Sequence, residues 1–250
     1  SVDHEILPRA VKAGAKIFSG VRVDHISSKG ITATIVSQDG TEMGSFSCAA
    51  DIIIMAAGTI STPQLLLESE VATSNTEIGK GLHVHPVIST WGVLKQPCYQ
   101  LGATQGHYID EFADNNILLE ANPIIGGAFF QAFPVYGMAA KELMAKGAQM
   151  VSTGALIRDT SEGQVLTRKN GTTRIAYEVN ELDRGRLIEG LKKGAELWLN
   201  GADGELVAPS IFGTKLCRSM QEVTTLLENL PASRLINYSS HPQASCRMGR

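Results

Sequence analysis

Asp51-Ile52-Ile53-Ile54-Met55-Ala56-Ala57-Gly58 decides the fold class, and Thr59-Ile60-Ser61-Thr62-Pro63-Gln64-Leu65-Leu66-Leu67-Glu68 follows it directly. An unbroken apolar run without alternation predicts a strand buried on both faces, as inside a parallel sheet. Its end in small residues and a glycine marks a tight exit. Ser61 or Thr62 suits a helix N-cap and Pro63 a first turn, so a helix is expected over Gln64 to Glu68. Strand, small-residue turn and helix N-terminus together bring backbone N–H groups to a phosphate in α/β folds. An ordinary strand-to-helix crossover has the same pattern, and both readings stay open on these residues.

Upstream of that stretch, Ile6 to Lys12 reads as a short helix closed by Gly14. Strands are expected over Ala15 to Phe18, Val21 to Ile26, Ile31 to Val36 and Glu42 to Cys48, joined by turns at Ser27-Ser28-Lys29-Gly30 and Asp39-Gly40. Downstream, Ile78 to Pro86 is Gly-rich and places His83 and His85 two residues apart. On a strand they would share a face, which raises a metal site, but no third ligand lies nearby and no metal is expected.

Beyond Pro86 the character changes. Val87 to Leu94 reads as a strand, Gln100 to His107 as a loop, and Ile117 to Phe133 is rich in Ala, Gly and Phe. Ala139 to Lys146 is a helix candidate. Ala148 to Arg158, Gln164 to Arg168 and Arg174 to Val179 alternate like strands of an antiparallel sheet, with Asn170-Gly171 as a hairpin turn. Leu187, Leu191, Ala195 and Trp198 give Leu182 to Leu199 an apolar helical face that Asn200-Gly201 closes. Asp203 to Gly213 reads as an irregular link, and Ser219-Met220-Gln221-Glu222 as a capping box for a helix through Leu227.

With 43% hydrophobic and 19% charged residues, the 250-residue chain is a globular protein of one large or two modest domains. A net charge of −3 with no basic run excludes the electrostatic footprint of a nucleic-acid binder. No apolar stretch is long enough for a membrane span. Cys48, Cys98, Cys217 and Cys246 are widely spaced, against a zinc site or a disulfide framework. A reduced, cytoplasmic setting is the default expectation.

The final stretch, Tyr238-Ser239-Ser240-His241-Pro242-Gln243-Ala244-Ser245-Cys246-Arg247-Met248-Gly249, has no hydrophobic periodicity. One reading is a rigid loop, bracketed by Pro242 and Gly249, that presents the His241 imidazole as a proton acceptor. The other is a capped surface turn.

The order of Leu7-Pro8-Arg9-Ala10, Gly14-Ala15-Lys16-Ile17, Val21 to Ile26, Ala56-Ala57-Gly58 through Pro63-Gln64-Leu65-Leu66-Leu67, Ile78-Gly79-Lys80-Gly81-Leu82, His85-Pro86 and His241-Pro242 through Arg247-Met248-Gly249 resembles the glucose-methanol-choline (GMC) family of FAD-dependent oxidoreductases. The likeness spans nearly the whole chain and is nearest to the branch of bacterial long-chain alcohol oxidases and cholesterol-oxidase-like enzymes. The family's usual Gly-Thr ahead of Cys-Arg-Met is Ala244-Ser245 here, and Glu68-Ser69-Glu70 stands for its usual Ser-Gly. No Gly-x-Gly-x-x-Gly fingerprint occurs and no second His or Asn segment follows His241, so the chain reads as an internal part of a longer enzyme.

The resemblance implies an α/β (α+β) architecture. Residues 1–86 would be part of a Rossmann-like FAD-binding domain, and residues 87–234 a substrate domain with an antiparallel sheet. Residues 235–250 would return to the FAD domain with the catalytic histidine. It implies FAD as cofactor, with Val21 and Val23 at its adenine end and Ala57, Gly58 and Thr59 beside it. His241 would be the general base, and His85 and Pro86 would have a mainly structural role. The substrate would be a small-molecule alcohol, which one staying open: the apolar content of Ile117 to Phe133 hints at a hydrophobic one but equally suits a core. The electron acceptor stays open among oxygen, a quinone and a cytochrome.

Overall fold

The structure, a computed structural model, describes residues 2–71, 74–98, 106–122, 133–167 and 172–248. The turn expected at Asn170-Gly171, most of the Gln100 to His107 loop, most of the Ala-, Gly- and Phe-rich stretch, and Gly249 lie outside the described residues. The chain divides into two compact units. One holds Ser1–Gly79, Val165–Arg174 and Ser245–Arg250, and the other Lys80–Gln164 and Ile175–Ala244.

In the first unit, α1 (Leu7–Lys12) ends at Ala13, and Gly14 takes φ +100°, the left-handed conformation that glycine adopts without strain. Strands β1 (Val21–Ser27), β2 (Gly30–Val36) and β3 (Glu42–Ala49) form an antiparallel sheet in the order β1-β2-β3. Both turns form where the sequence puts them. Ser27 Oγ accepts from Lys29 N at 3.2 Å, and Ser37 Oγ and Asp39 Oδ1 each accept from Thr41 N at 3.1 Å. The Ser37 hydroxyl also donates to Asp39 and draws its carboxyl down to about 2. Ala15 to Phe18 is not a strand: it is exposed and unpaired in any described ladder, and Phe18 instead sets its ring 5.2 Å from that of Phe46.

The buried strand expected over residues 51–58 does not form. Residues 52–56 carry no regular structure, and Ile52 and Ile54 are 83% and 86% exposed. An apolar run becomes a strand only where neighbours complete its ladder and cover its faces. No described strand pairs with this one. The helix that follows, α2 (Gly58–Glu68), starts earlier than the sequence suggests, so Pro63 lies inside it and neither Ser61 nor Thr62 caps it.

Pro63 has no N–H to give the carbonyl of Thr59 one turn back. The buried Ser245 hydroxyl donates to that carbonyl instead, while Gly79 N donates to Ser245 O at 2.8 Å. At the other end of α2, Ser69 Oγ accepts from Ile26 N at 2.9 Å in a buried position, which fixes the helix on β1.

The second unit is built on a six-stranded antiparallel sheet. Strands β4 (Lys80–Leu82), β5 (Val87–Leu94), β6 (Tyr108–Ile109) and β7 (Ile117–Ala121) are followed by α3 (Gly137–Ala145) and β8 (Met150–Ile157). Next come β9 (Gly163–Thr167) and β10 (Thr173–Ala176), each with residues assigned to both units, then α4 (Glu181–Glu196), β11 (Gly204–Pro209), α5 (Met220–Leu227) and β12 (Asn237–Tyr238). The main sheet runs β11-β5-β8-β7-β6, with β12 also paired to β5. β8 lines β5 along its length (Val87↔Leu156 to Val93↔Met150), so β11 and β12 share the opposite edge of β5. β11 falls in the stretch that reads as an irregular link. Its Leu206, Val207 and Ala208 pair with the buried β5, and Pro209 ends the strand opposite Thr90, with Ser210 N still donating to Ser89 O at 2.9 Å.

Helix α4 packs Leu187, Leu191 and Ala195, the face legible in the sequence, on Ile88, Ile117, Ala155 and Ile157 of the sheet. It approaches closely because Gly190 and Gly194 carry no side chain: a Cβ there would lie 2.5 Å from Ala155 Cβ and 2.8 Å from Thr90 Oγ1. Asn180 caps α4, accepting from Asp183 N at 2.8 Å. Ser219 caps α5, accepting from Glu222 N at 3.3 Å, but the reciprocal arm of the box goes to Arg218 N (2.6 Å) rather than to Ser219 N. A second cluster joins Trp91, Val93, Met150, Leu206 and Ala208 to Phe133 and Leu143, with the Trp91 and Phe133 rings edge-on at 5.0 Å.

Candidate functional site

Two groups of expected site residues form, one in each unit. In the first unit, β1 and α2 enclose a cleft of about 590 Å³ lined by Val21, Arg22, Val23, Asp24, Ala57, Ser61, Gln64, Leu65 and Glu68. It brings together Val21, Val23 and Ala57. Gly58 and Thr59 are outside its lining and form the first turn of α2. Gly58 takes φ +85°, and a Cβ there would meet open space within the chain, so its conformation and not a neighbour demands glycine.

β1 is the edge strand of its sheet and carries an irregularity between Val23 and His25, where the register shifts. Such a bulge re-aims side chains and backbone groups at a sheet edge. Arg22 is held by Asp24 (3.1 Å) and Glu42 (3.0 Å). The Thr34 hydroxyl, 2.6 Å from Asp24 Oδ2, holds that carboxyl below its ordinary value, so Asp24 stays ionised.

Apolar Val21, Val23, Ala57 and Leu65 offer flat contact for an aromatic ring. Gln64, Glu68 and Asp24 can accept from ring amines and ribose hydroxyls. The cleft therefore fits the nucleoside end of a dinucleotide cofactor. The lining residues Ser61, Gln64 and Glu68 are not singled out as site residues by the sequence, because their role depends on α2 beginning at Gly58 and turning them toward β1.

In the second unit, His241 lies beside His85, with ring centroids 5.5 Å apart and planes tilted by 55°. Ser239 ties the two segments, its hydroxyl donating to Val84 O and accepting from His241 N at 3.3 Å. His83 and Gln243 form a two-bond bridge, 3.0 Å from His83 N to Gln243 O and 2.8 Å in return. His83 and His85 do not act as a pair on one strand face. His85 has φ +51°, a left-handed conformation that turns the chain just ahead of Pro86.

Each histidine thus meets different partners. His83 Nδ1 and Nε2 lie 3.6 Å from Asp159 Oδ1 and Glu162 Oε1. Asp159 Oδ2 accepts from Val84 N at 3.0 Å and from Tyr177 OH at 2.8 Å. Burial, together with that bond to Asp159, pushes the Tyr177 phenol well up, so it remains a donor. Burial and then the neighbouring His241 ring push the His85 imidazole below its ordinary value, while Asp159 and Glu120 pull the other way. At neutral pH His85 is uncharged.

Nearby, Asn122 Nδ2 is 3.5 Å from Ser89 Oγ and 3.4 Å from Tyr238 OH, and Ser89 and Tyr238 are 3.4 Å apart. Gly154 leaves the room for Asn122, since a Cβ there would come within 2.7 Å of Nδ2. Asp159, Glu120, Asn122 and Tyr177 carry no sequence motif. Glu120, Asn122 and Asp159 come together through the pairing of β5, β7 and β8, and Tyr177 reaches Asp159 from the residue after β10.

The GMC oxidoreductase family model matches residues 1–87. A long-chain-alcohol oxidase of Arabidopsis thaliana is 27% identical over 99% of this chain and 37% of its own length. A second Arabidopsis long-chain-alcohol oxidase is 25% identical over 99% of the chain and 37% of its length. An uncharacterised GMC-type oxidoreductase of Mycobacterium tuberculosis is 26% identical over 97% of the chain and 38% of its length. The chain thus spans less than two-fifths of the curated relatives it matches. The matched N-terminal region is the family's FAD-binding domain. Residues 1–87 thus resemble the GMC oxidoreductase family, and the relatives similar to nearly the whole chain are long-chain-alcohol oxidases and GMC-type oxidoreductases.

Proposed function

We propose that this chain is part of an FAD-dependent oxidoreductase that acts on the CH–OH group of a small-molecule alcohol, with His241 as the general base. The observation that carries the reading is the gathering of Val21, Val23 and Ala57 in one cleft within the region matched by the family model. In this reading residues 1–86 belong to the FAD domain, residues 87–234 form the substrate domain and residues 235–250 return to the FAD domain. Val21 and Val23 hold the adenine end of FAD, and Ala57, Gly58 and Thr59 lie along it. FAD supplies the hydride acceptor when bound.

The chain's own contribution is to the proton. The His241 ring is exposed and fixed at its backbone through Ser239, so its free nitrogen can accept the alcohol's hydroxyl proton. Removing that proton raises the electron density on oxygen and weakens the adjacent C–H bond. Tilting against His85 limits the orientations the ring can take.

His241→Ala in the intact, FAD-loaded protein is expected to lower turnover by roughly 10²-fold or more, the scale of a lost general base. The measurement is the rate of flavin bleaching on mixing with a series of primary alcohols without oxygen. Wild-type bleaching in the variant removes His241 as the base. Absence of bleaching by any alcohol in the wild type removes the alcohol reading itself.

A further inference from the structure

We propose that His85 is a positioning residue for His241, and that the two imidazoles work as one coupled pair. The proposal rests on His241 as the base but assigns a role to a residue otherwise read as structural. Three independent observations meet at His85. Its ring is 5.5 Å from that of His241, within the range of a direct ring–ring contact.

Its backbone is at φ +51°, a left-handed conformation that is uncommon for a residue with a side chain. Such outliers gather where a side chain must be aimed. Finally, the segment that carries it is pinned at every step. His83 is bridged to Gln243, Val84 N is bonded to Asp159, Val84 O accepts from Ser239, and Pro86 follows.

The charged and titratable groups that face His85 are His241 on the return segment, Asp159 after β8 and Glu120 on β7. Two imidazoles this close do not both take a proton readily, because the like charges repel. His85, the more enclosed ring, is the one kept neutral. A neutral ring can bear on His241 whether or not His241 holds the substrate's proton, so the base keeps its orientation through the proton transfer. Interacting groups of this kind titrate as a pair.

The test uses the intact FAD-loaded protein and two variants. His85→Asn suits the left-handed backbone, since asparagine tolerates it, and removes only the ring. Turnover is expected to fall on the order of 10-fold, less than the roughly 10²-fold or more of a lost base. Flavin content should stay at one per chain, and the acid limb of the kcat/KM profile should move. His241→Asn leaves His85 in place, and ring nitrogen NMR should then show the His85 titration moving up toward 6.5, its ordinary value.

An unchanged kcat/KM profile in His85→Asn, or an unmoved His85 titration in His241→Asn, overturns the pairing. Loss of flavin from His85→Asn with the His85 titration unmoved in His241→Asn makes His85 structural. Full activity of His241→Asn with a shifted His85 titration keeps the pair but removes the base, so the two readings fail separately.

Discussion

Two apolar runs of similar composition meet opposite fates in this chain. Ile52 to Ala57 is irregular and largely exposed, whereas every residue of β8 and all but the last of β5 is buried. The difference is not in hydrophobicity. β5 has β8 along one edge, β11 and β12 along the other, and α4 over one face. The 52–57 run has no described ladder partner. Burial of an apolar stretch is thus decided by its neighbours, and the energetic consequence is that the second unit holds most of the core. Among the described residues of the first unit, Ile26, Ala33, Pro63 and Val165 are the buried apolar side chains.

That contrast predicts where substitutions hurt. Asp183, with no exposed surface, accepts from Thr160 N (2.8 Å), Ser161 N (2.7 Å), both their hydroxyls and Arg186 (2.8 Å). Burial alone would raise its carboxyl, but the bonds from Ser161 and Thr160 more than offset that and hold it below its ordinary 3.8. Asp183→Ala strands Arg186 and the 160–161 backbone, an effect of about 3–5 kcal/mol. Because the folded value is depressed, the carboxylate's contribution is whole above pH 3.8 and is lost as pH falls through the folded value. The check is urea unfolding followed by tryptophan fluorescence, which reports this unit alone since Trp91 and Trp198 both lie in it. Equal stability of variant and parent at pH 7 would show that the network is dispensable.

The core pair comes next. Leu191→Ala opens a cavity under β5 and should cost about 3 kcal/mol, within the usual range for buried leucine. Ile54→Ala, at a side chain already in solvent, should stay within about 0.5 kcal/mol. Comparable losses at both sites, measured by the same denaturation, would mean that the 52–57 run is buried in solution and that the contrast is false.

How much of this was legible in the sequence follows the same division. Local signals are reliable where the local chain determines the outcome: the Ser27 and Asp39 turns, the α4 face, and the Asn-Gly stop all fall near their expected places. The 51–58 strand fails because a strand's formation is settled by residues distant in sequence. The start of α2 is missed because the capping pattern at Ser61-Thr62-Pro63 points to a later boundary, and the chain satisfies the carbonyl that Pro63 leaves with Ser245 instead. Of the residues that the resemblance singles out, Val21, Val23 and Ala57 meet in one cleft and His241 meets His85, while Gly58 and Thr59 lie outside the cleft lining. Asp159, Tyr177 and Glu120 were not legible, since no spacing ties them to His83 or His85 before the sheet forms.

Ser245 supplies a smaller effect within the first unit. Ser245→Ala leaves the Thr59 carbonyl without its hydroxyl donor at a buried position, a loss of about 1–3 kcal/mol. Pro63→Ala restores the helical N–H to that carbonyl, so the double variant should recover part of the loss. A double-mutant cycle by hydrogen exchange of the α2 amides reads this directly. Strict additivity would break the link between the proline and the serine.

The smallest effect separates backbone strain from packing. Ala244 has φ +69°, where a Cβ crowds the following carbonyl at a cost of about 1–2 kcal/mol. Glycine takes that conformation freely but loses about 0.5–1 kcal/mol more chain entropy on folding. Ala244→Gly should therefore stabilise by about 0.5–1 kcal/mol and raise the melting temperature by a few degrees or less. Its position three residues after His241 adds a second readout. If the strain is needed to aim the His241 loop, the more stable variant turns over more slowly. If the strain is only tolerated, stability rises with turnover unchanged. A variant less stable than the parent would mean that the Ala244 methyl group contributes packing worth more than the strain it carries.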